Sequence, residues 1–322
     1  MVCLGVAAGC FDGDGVMLGV GVTREAAIVW IDAPDGVRLR AAHWPGARAT
    51  VLLLSGRGEY IEQYRETVDA LLDRGFGVWM FDWRGQGLST RPLTDPLKHH
   101  VLNFERYLDD AELLLDRHVV PGLEGRALLM VAHSMGGHLG LRLLTRRPEL
   151  FARAVISAPM IDFLGWGAGM RAFARMVFRV GCLLGLTERF GPGTPSRPNL
   201  DPVFEGNPLT SCPERFAARA TLLRLTPAVH LGGATWGWLR AATQSQAALQ
   251  RAVGRITVPT LVAIAGVDRL VDSRTTRAFV RRLPQGEALE LPGARHELLR
   301  EHDRYRLPFW AAIDRFLGVV PS

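Results

Sequence analysis

Three residues, in the order serine, aspartate, histidine, suggest the chemistry of this sequence. Ser134 lies in residues 132–137 (Ala-His-Ser-Met-Gly-Gly), between an apolar run and a helical pattern. Small residues two before and two after a serine let a strand and a helix approach closely, and the turn between them holds the hydroxyl out. A serine hydroxyl is a weak nucleophile and needs a base, which in turn needs an orienting acid. We therefore predict that Ser134 is a nucleophile.

The base and the acid are expected after two later strands. Asp268 follows the apolar run 260–265, and His296 follows the run 288–291. Both residues then lie at the carboxyl edge of a parallel sheet, where such folds place their chemistry. We predict that His296 is the base and that Asp268 is the acid.

Two neighbouring residues are interpreted as structural. Asp272 is a competing carboxylate, but it precedes a serine and a helical pattern and suits a helix cap better. His133 adjoins the serine, and its side chain should point away from the hydroxyl.

An oxyanion formed at Ser134 would need two backbone N–H donors. We predict one donor at Met135, directly after the serine. We predict the other at Arg57, in the loop 55–60 (Ser-Gly-Arg-Gly-Glu-Tyr), whose glycines allow a tight turn with exposed amides. A phosphate cradle is disfavoured, because no G-K-[ST] or G-x-G-x-x-G pattern follows.

The elements that position these residues are short apolar runs alternating with helical patterns. Continuously apolar runs are typical of strands buried on both faces of a parallel sheet, and strand–helix alternation favours an α/β layered fold. The predicted strands are Ala27–Ile31, Val37–Trp44, Thr50–Leu54, Val78–Phe81, Ala127–Ala132, Ala154–Ser157, Thr260–Ala265 and Ala288–Leu291.

The alternation stops over residues 162–254, which we predict to be an inserted helical cap. The core would then comprise residues 25–161 and 255–322, preceded by a disordered or apolar extension over residues 1–24. An apolar stripe in the cap suits either its own core or an acyl-binding wall. The candidate substrate contacts are Trp166, Met170, Phe173 and Trp236.

Composition excludes several classes of protein. The 322 residues include 48% hydrophobic and 22% charged residues, as in globular proteins. We expect neither a transmembrane helix nor a secretory signal, and hence a cytoplasmic protein, with transient membrane-surface contact left open. The net charge is +6, but no arginine cluster is interleaved with aromatic residues, so we expect no nucleic-acid partner. The four cysteines lie far apart, and we expect no metal site.

Taken together, these motifs resemble the α/β-hydrolase superfamily, and within it the monoacylglycerol lipase, lysophospholipase and serine aminopeptidase-like branch. The resemblance covers about residues 35–318 and implies a mostly parallel sheet flanked by helices, an inserted cap, the triad above and no cofactor. In this chain Ser55 replaces the usual histidine of the oxyanion motif, Arg57 is bulky, and Cys212 replaces a common aspartate. The motifs lie at residues 55–60, 81–89, 133–137, 207–211, 266–268 and 293–297.

The resemblance implies a cofactor-free serine hydrolase of monoacylglycerols, lysophospholipids or short to medium acyl esters. A peptidase that releases N-terminal residues is an alternative, and it would need cap carboxylates to bind a free amine. A non-catalytic binding protein of the same fold is a second alternative. Ser134 excludes a dehalogenase with an aspartate nucleophile. The oligomeric state is not predicted. The few cap acids are Glu188, Asp201, Glu205 and Glu214.

Overall fold

The structure, a computed structural model, describes residues 24–163, 165 and 167–319. Each of its strands overlaps a strand predicted from the sequence. They are β1 (Ala27–Asp32), β2 (Arg38–Trp44), β3 (Thr50–Leu54), β4 (Gly77–Phe81), β5 (Leu128–His133), β6 (Phe151–Ser157), β7 (Thr260–Ala265) and β8 (Gly286–Leu291).

These strands form one sheet in the order β1-β2-β4-β3-β5-β6-β7-β8. β2 pairs antiparallel with β1 and with β4, and the remaining pairs are parallel. The carboxyl ends of β3, β5, β7 and β8 therefore lie at one edge of the sheet. The loops after these strands carry Arg57, Ser134, Asp268 and His296, as the sequence predicts.

Helices cover both faces of this sheet. The helices are α1 (Arg65–Asp73), α2 (Glu105–Leu114), α3 (Ser134–Arg146), α4 (Ala168–Leu183), α5 (Pro213–Leu225), α6 (Trp236–Ala252), α7 (Ser273–Val280) and α8 (Asp303–Leu317).

The hydrophobic core divides into two layers, one on each face of the sheet. In β3, Leu52 and Leu54 pack toward α2, α3, α6 and α7, whereas Val51 and Leu53 pack toward α1 and α8. Successive strand residues point to opposite faces, so a strand covered on both faces is apolar throughout. This arrangement confirms the predicted α/β fold with a mostly parallel sheet flanked by helices.

The predicted cap segment, residues 162–254, contains α4, α5 and α6. Trp238 and Leu249 of α6 belong to the main core layer, so this helix contacts the sheet side of the molecule. The sequence position of α6 within the predicted cap does not indicate that this helix packs against the main core. The division into core and cap stays a prediction. Residues 1–23 of the predicted extension lie outside the described residues. Among the described helices, none is both long and apolar enough to cross a bilayer.

Candidate active site

Ser134 occupies the sharp turn between β5 and α3. Its φ is +53°, in the left-handed region that residues with a side chain rarely adopt. Gly136 allows the turn, because a Cβ at this position would lie 2.4 Å from the carbonyl oxygen of Ser55. Helix α3 can therefore approach the end of β3 closely, and Ser134 is held at the carboxyl edge of the sheet.

A histidine and an aspartate converge on this serine from two later loops. His296 Nε2 lies 2.9 Å from Ser134 Oγ, and His296 Nδ1 lies 2.7 Å from Asp268 Oδ2. The other oxygen of Asp268, Oδ1, accepts hydrogen bonds from the backbone N–H groups of Leu270 and Val271. These two bonds orient the carboxylate toward the histidine. The structure thus brings together the three residues that the sequence singles out.

The electrostatic environment favours an ionised Asp268 beside His296. Burial alone would lower the pKa of His296, but the hydrogen bond and the charge of Asp268 outweigh it and raise that pKa. Burial also opposes ionisation of Asp268, yet its bond to His296 holds the pKa of the carboxyl below its usual value. A neutral His296 can accept a proton from Ser134, and Asp268 can stabilise the imidazolium that forms.

Two residues near the site have structural contacts. His133 Nδ1 lies 3.3 Å from Ser157 Oγ, and burial lowers the pKa of His133 to about 4, so the ring is neutral. Asp272 Oδ1 accepts hydrogen bonds from the N–H groups of Arg274 and Thr275 at the start of α7. This is the helix cap expected of Asp272, and it leaves Asp268 as the partner of the histidine.

The loop Ser55–Tyr60, here called the oxyanion loop, passes beside Ser134. A Cβ on Gly56 would lie 3.2 Å from Ser134 Cβ. Within the described part of the chain, the backbone N–H groups of Arg57 and Met135 donate to no protein acceptor. Both of the predicted donors are therefore available to an oxygen of a bound molecule.

The side chain of Gln86 forms hydrogen bonds with the backbone of the oxyanion loop. From the sequence, no role was assigned to this residue. Its Nε2 donates to the carbonyl oxygens of Gly56 (2.9 Å) and Glu59 (3.1 Å). Its Oε1 accepts from the N–H of Gly58 at 3.1 Å. The side chain is fully buried, so these bonds fix the backbone on both sides of Arg57. The only sequence signal is a polar residue between two glycines in the motif 81–89.

Asp82 holds the loop that carries Gln86. Its Oδ1 accepts from the N–H of Ile61, and its Oδ2 accepts from the N–H of Leu88 and from Arg40 Nε. Burial raises the pKa of Asp82 to about 6 against the opposing charge of Arg40. Asp82 therefore joins β2, the residue that directly follows the oxyanion loop, and the loop after β4.

Glu59 closes the oxyanion loop from its other end. Its carboxylate accepts from the N–H of Gly56, from the hydroxyl of Tyr64 and from Arg300 Nη2, each at 2.5 Å. Burial opposes ionisation of Glu59, but Arg300, His133 and these hydrogen bonds outweigh it and lower the pKa to about 2. The loop is thus anchored to a buried anion that stays charged at neutral pH.

A second anchor joins the predicted cap to the loop that carries the histidine. The carbonyl oxygen of Leu209, in the motif 207–211, accepts from the N–H of Glu297 at 2.8 Å. Glu301 Oε1 accepts from the N–H of Arg295, and Glu301 Oε2 accepts from the N–H of Ser211. These contacts join segments about 90 residues apart, and no local sequence pattern announces them.

Three of the predicted substrate contacts lie on the helices α4 and α6. Met170 and Phe173 on α4 are 51% and 57% exposed, so this face of the helix is open to solvent. Trp236, at the start of α6, is half-buried and packs edge-on against Phe178. Trp166 lies outside the described residues. Their role as substrate contacts stays a prediction.

Across the described residues, no group of three or more His, Cys, Asp or Glu side chains is arranged to hold an ion.

Comparison with known proteins places the chain in a family. Residues 45–303 match the family described as serine aminopeptidase, S33. The chain is 30% identical to lysophospholipase L2 of Escherichia coli strain K12 over 300 residues, which cover 87% of this chain and 83% of that protein. It is 28% identical to the probable lysophospholipase L2 of Haemophilus influenzae over 274 residues, which cover 84% of each.

A solved structure supports the fold. The soluble variant of the Saccharomyces cerevisiae monoglyceride lipase, in complex with a substrate analogue, is similar with a TM-score of 0.69. The identity is 21%, and the match covers 92% of this chain and 97% of the yeast chain. The chain belongs to the serine aminopeptidase S33 family, and it is an enzyme of the serine hydrolase type with the α/β-hydrolase fold.

Proposed function

We propose that this enzyme hydrolyses carboxylic esters of lipid-like alcohols, with Ser134 as nucleophile, His296 as base and Asp268 as orienting acid. The observation that carries the proposal is the pair of hydrogen bonds, 2.9 and 2.7 Å long, that join these side chains in sequence. The names of the relatives support monoacylglycerols or lysophospholipids as substrates.

The proposed reaction has two halves that use the same residues. His296 Nε2 accepts the proton of Ser134 Oγ as this oxygen attacks the ester carbonyl carbon. The carbonyl oxygen becomes an oxyanion, to which the N–H groups of Arg57 and Met135 donate. Collapse breaks the bond to the alcohol, which takes the proton from His296 and leaves an acyl-serine. Water, deprotonated by His296, then releases the acid and restores Ser134.

The first experiment is hydrolysis of p-nitrophenyl esters from acetyl to palmitoyl by the wild type and by Ser134→Ala. We expect the variant to lose at least about 10³-fold in kcat, because it retains only binding and the oxyanion donors. Ser196→Ala, at an exposed serine in the predicted cap, is the matched control. Activity that survives in Ser134→Ala would refute the nucleophile assignment.

The same experiment separates the alternatives. A medium- or long-chain optimum in the wild type would support a lipid esterase. If neither protein cleaves any ester but the wild type cleaves aminoacyl arylamides, the peptidase alternative is favoured. If the wild type cleaves neither class of substrate, a non-catalytic binding protein is favoured.

We also propose that the enzyme contacts membrane surfaces peripherally through α4. An apolar stripe on this helix is 46–77% exposed, and the helix contains no acidic residue. Arg175 and Arg179 are exposed beside the stripe. An apolar face flanked by cations is typical of helices that lie in the headgroup region of an anionic bilayer. The stripe comprises Met170, Phe173, Met176, Val180 and Leu183.

Sedimentation with vesicles tests this contact. We expect the wild type to sediment with vesicles that contain anionic lipid and to be released by salt. The double variant Phe173→Ser/Leu183→Ser should stay in the supernatant, whereas Leu307→Ser, which alters an exposed leucine on α8, should sediment normally. Equal sedimentation of all three proteins would refute a role for α4.

A further inference from the structure

The side chain of Arg57, in the oxyanion loop, is a poorly compensated cation. Its Nη2 donates to the carbonyl oxygen of Gly232 at 2.7 Å, and its guanidinium carbon lies 5.7 Å from the centre of the Trp238 ring. Its Nε is buried with no hydrogen-bond acceptor in the described part of the chain. Within the same residues, Arg57 forms no salt bridge with any carboxylate.

Three buried arginines and the half-buried Arg91 illustrate how cations are compensated elsewhere in this fold. Arg40, Arg84 and Arg300 each pair with two carboxylates at 2.5–3.0 Å. Arg91 lacks such a partner, but it donates to three carbonyl oxygens. The side chain of Arg57 donates to only one carbonyl oxygen among the described residues, that of Gly232. A guanidinium whose Nε is buried without an acceptor, and which donates to one neutral acceptor, costs free energy, and such exceptions are expected at functional sites.

Among the residues that the structure describes, the immediate neighbours of the Arg57 side chain are uncharged. Tyr107 and Trp238 are neutral, and their side chains bond to each other at 3.2 Å. Burial, reinforced by the charge of Arg57, holds the pKa of His99 well below its usual value, so this ring is neutral too. Burial lowers the pKa of Arg57 only to about 10, and the guanidinium therefore stays charged at neutral pH.

The position of Arg57 defines which part of a substrate could approach this cation. The backbone of Gly56, the preceding residue, passes close to Ser134, since a Cβ there would lie 3.2 Å from Ser134 Cβ. The side chain of Arg57 reaches the carbonyl oxygen of Gly232. The backbone N–H of Arg57 would face the ester carbonyl. The guanidinium would then face a group a few bonds from that carbonyl. In a glycerol ester, a substituent on the glycerol lies a few bonds from the ester carbonyl.

We propose that Arg57 binds the phosphate of the substrate, and that the preferred substrates are monoacyl glycerophosphodiesters rather than neutral monoacylglycerols. The inference rests on the proposed ester hydrolysis and names its substrate class. A guanidinium matches a phosphate in charge and in hydrogen-bond geometry. A neutral glycerol would leave the cation as poorly compensated as it is in the free enzyme.

The test compares two substrates with the same acyl chain, a lysophospholipid and a monoacylglycerol, in mixed micelles. Arg57→Gln keeps the backbone donor and a polar side chain, but it removes the charge. We expect the ratio of kcat/KM for the lysophospholipid to that for the monoacylglycerol to fall about 10- to 100-fold. Arg57→Lys should recover part of the ratio, and Arg315→Gln, at an exposed arginine, should leave it unchanged.

The outcomes separate the inference from the function on which it rests. If Arg57→Gln lowers both activities equally, the side chain only supports the oxyanion loop, and the inference is wrong. If the wild type cleaves neither ester, the proposed function fails first. In a further assay, inorganic phosphate is added to the reaction with the monoacylglycerol. Stimulation of monoacylglycerol hydrolysis by free phosphate, with no preference for the phospholipid, would assign the site to a free anion and overturn the inference.

Discussion

The strongest structural prediction concerns Gln86, which touches no predicted catalytic side chain. We expect Gln86→Leu to lower kcat while leaving KM nearly unchanged. The leucine has a similar volume, but it can make none of the three hydrogen bonds that hold Gly56, Gly58 and Glu59. The amide of Arg57, in the middle of this segment, would lose its fixed direction.

The size of the effect follows from those bonds. Each bond contributes about 1 kcal/mol net to stability, so the variant should lose about 1–3 kcal/mol in the free energy of unfolding. The catalytic loss has a separate limit, because removing one oxyanion donor typically costs about 10²–10³ in kcat. Since the donor acts in the transition state and not on the bound ester, the loss should fall on kcat.

The assay is steady-state hydrolysis of one p-nitrophenyl ester, at a temperature well below the unfolding midpoint of each variant. Gln63→Leu is the matched control, because Gln63 is also buried but its side chain accepts only one bond, 3.4 Å long, from Arg300. Gln86→Glu tests the donor specifically, because a carboxylate would face the carbonyls of Gly56 and Glu59. Its kcat should fall at least as far as that of Gln86→Leu.

Two results would refute this reasoning. The first is a kcat for Gln86→Leu within threefold of the wild type, despite a measured loss of stability. The second is a loss confined to KM, which would indicate that Gln86 shapes the binding of the ester rather than the oxyanion donor.

Three further predictions test the rest of the site. Asp268→Asn should lower kcat by about 10⁴-fold, because the amide cannot stabilise the imidazolium; a loss under tenfold in ester hydrolysis would contradict this role. In the wild type, kcat/KM should rise with pH through a midpoint above 6.5, because Asp268 raises the pKa of His296 and the base must be neutral. A pH–rate profile with its midpoint below 6.5 would count against that pairing. Gly87→Ala should destabilise the fold by several kcal/mol in urea unfolding, because its Cβ would lie 2.1 Å from the carboxyl carbon of Asp82. Gly36→Ala, with a similar positive φ but open space, should cost only about 1–2 kcal/mol, and equal losses would refute the steric argument.

The strands were the most predictable part of the fold. A strand buried on both faces must be apolar along its whole length, and the run Thr50–Leu54 matches β3 at both ends. The misplaced boundaries have a physical cause. The sequence predicts that β6 begins at Ala154, whereas it begins at Phe151. The prediction was too short because the exposed Arg153 interrupts the apolar run. The sequence predicts that β8 begins at Ala288, whereas it begins at Gly286. Its first residues are exposed and need not be apolar, so the sequence pattern does not show them as a strand.

The chain order of serine, aspartate and histidine was also predictable, because each residue follows a recognisable strand. The residues that hold the loops were not. These residues, Gln86, Glu59 and Glu301, form hydrogen bonds with backbone groups. Every residue type has a backbone, so the sequence does not show which backbone groups are bonded. Polar residues of the same types occur throughout the chain without such contacts. Only the folded arrangement distinguishes a buried anchor from a solvated side chain.

The oxyanion loop illustrates how two requirements can be met by one residue. Its backbone direction is fixed by Gln86 on one side and Glu59 on the other, and neither contact involves the side chain of Arg57. The residue type at position 57 is therefore free to change without loss of the N–H donor. A large cation is compatible with this loop, because the bonds from Gln86 and Glu59 do not involve its side chain. Substitutions at position 57 can therefore test substrate selection while the predicted N–H donor is retained.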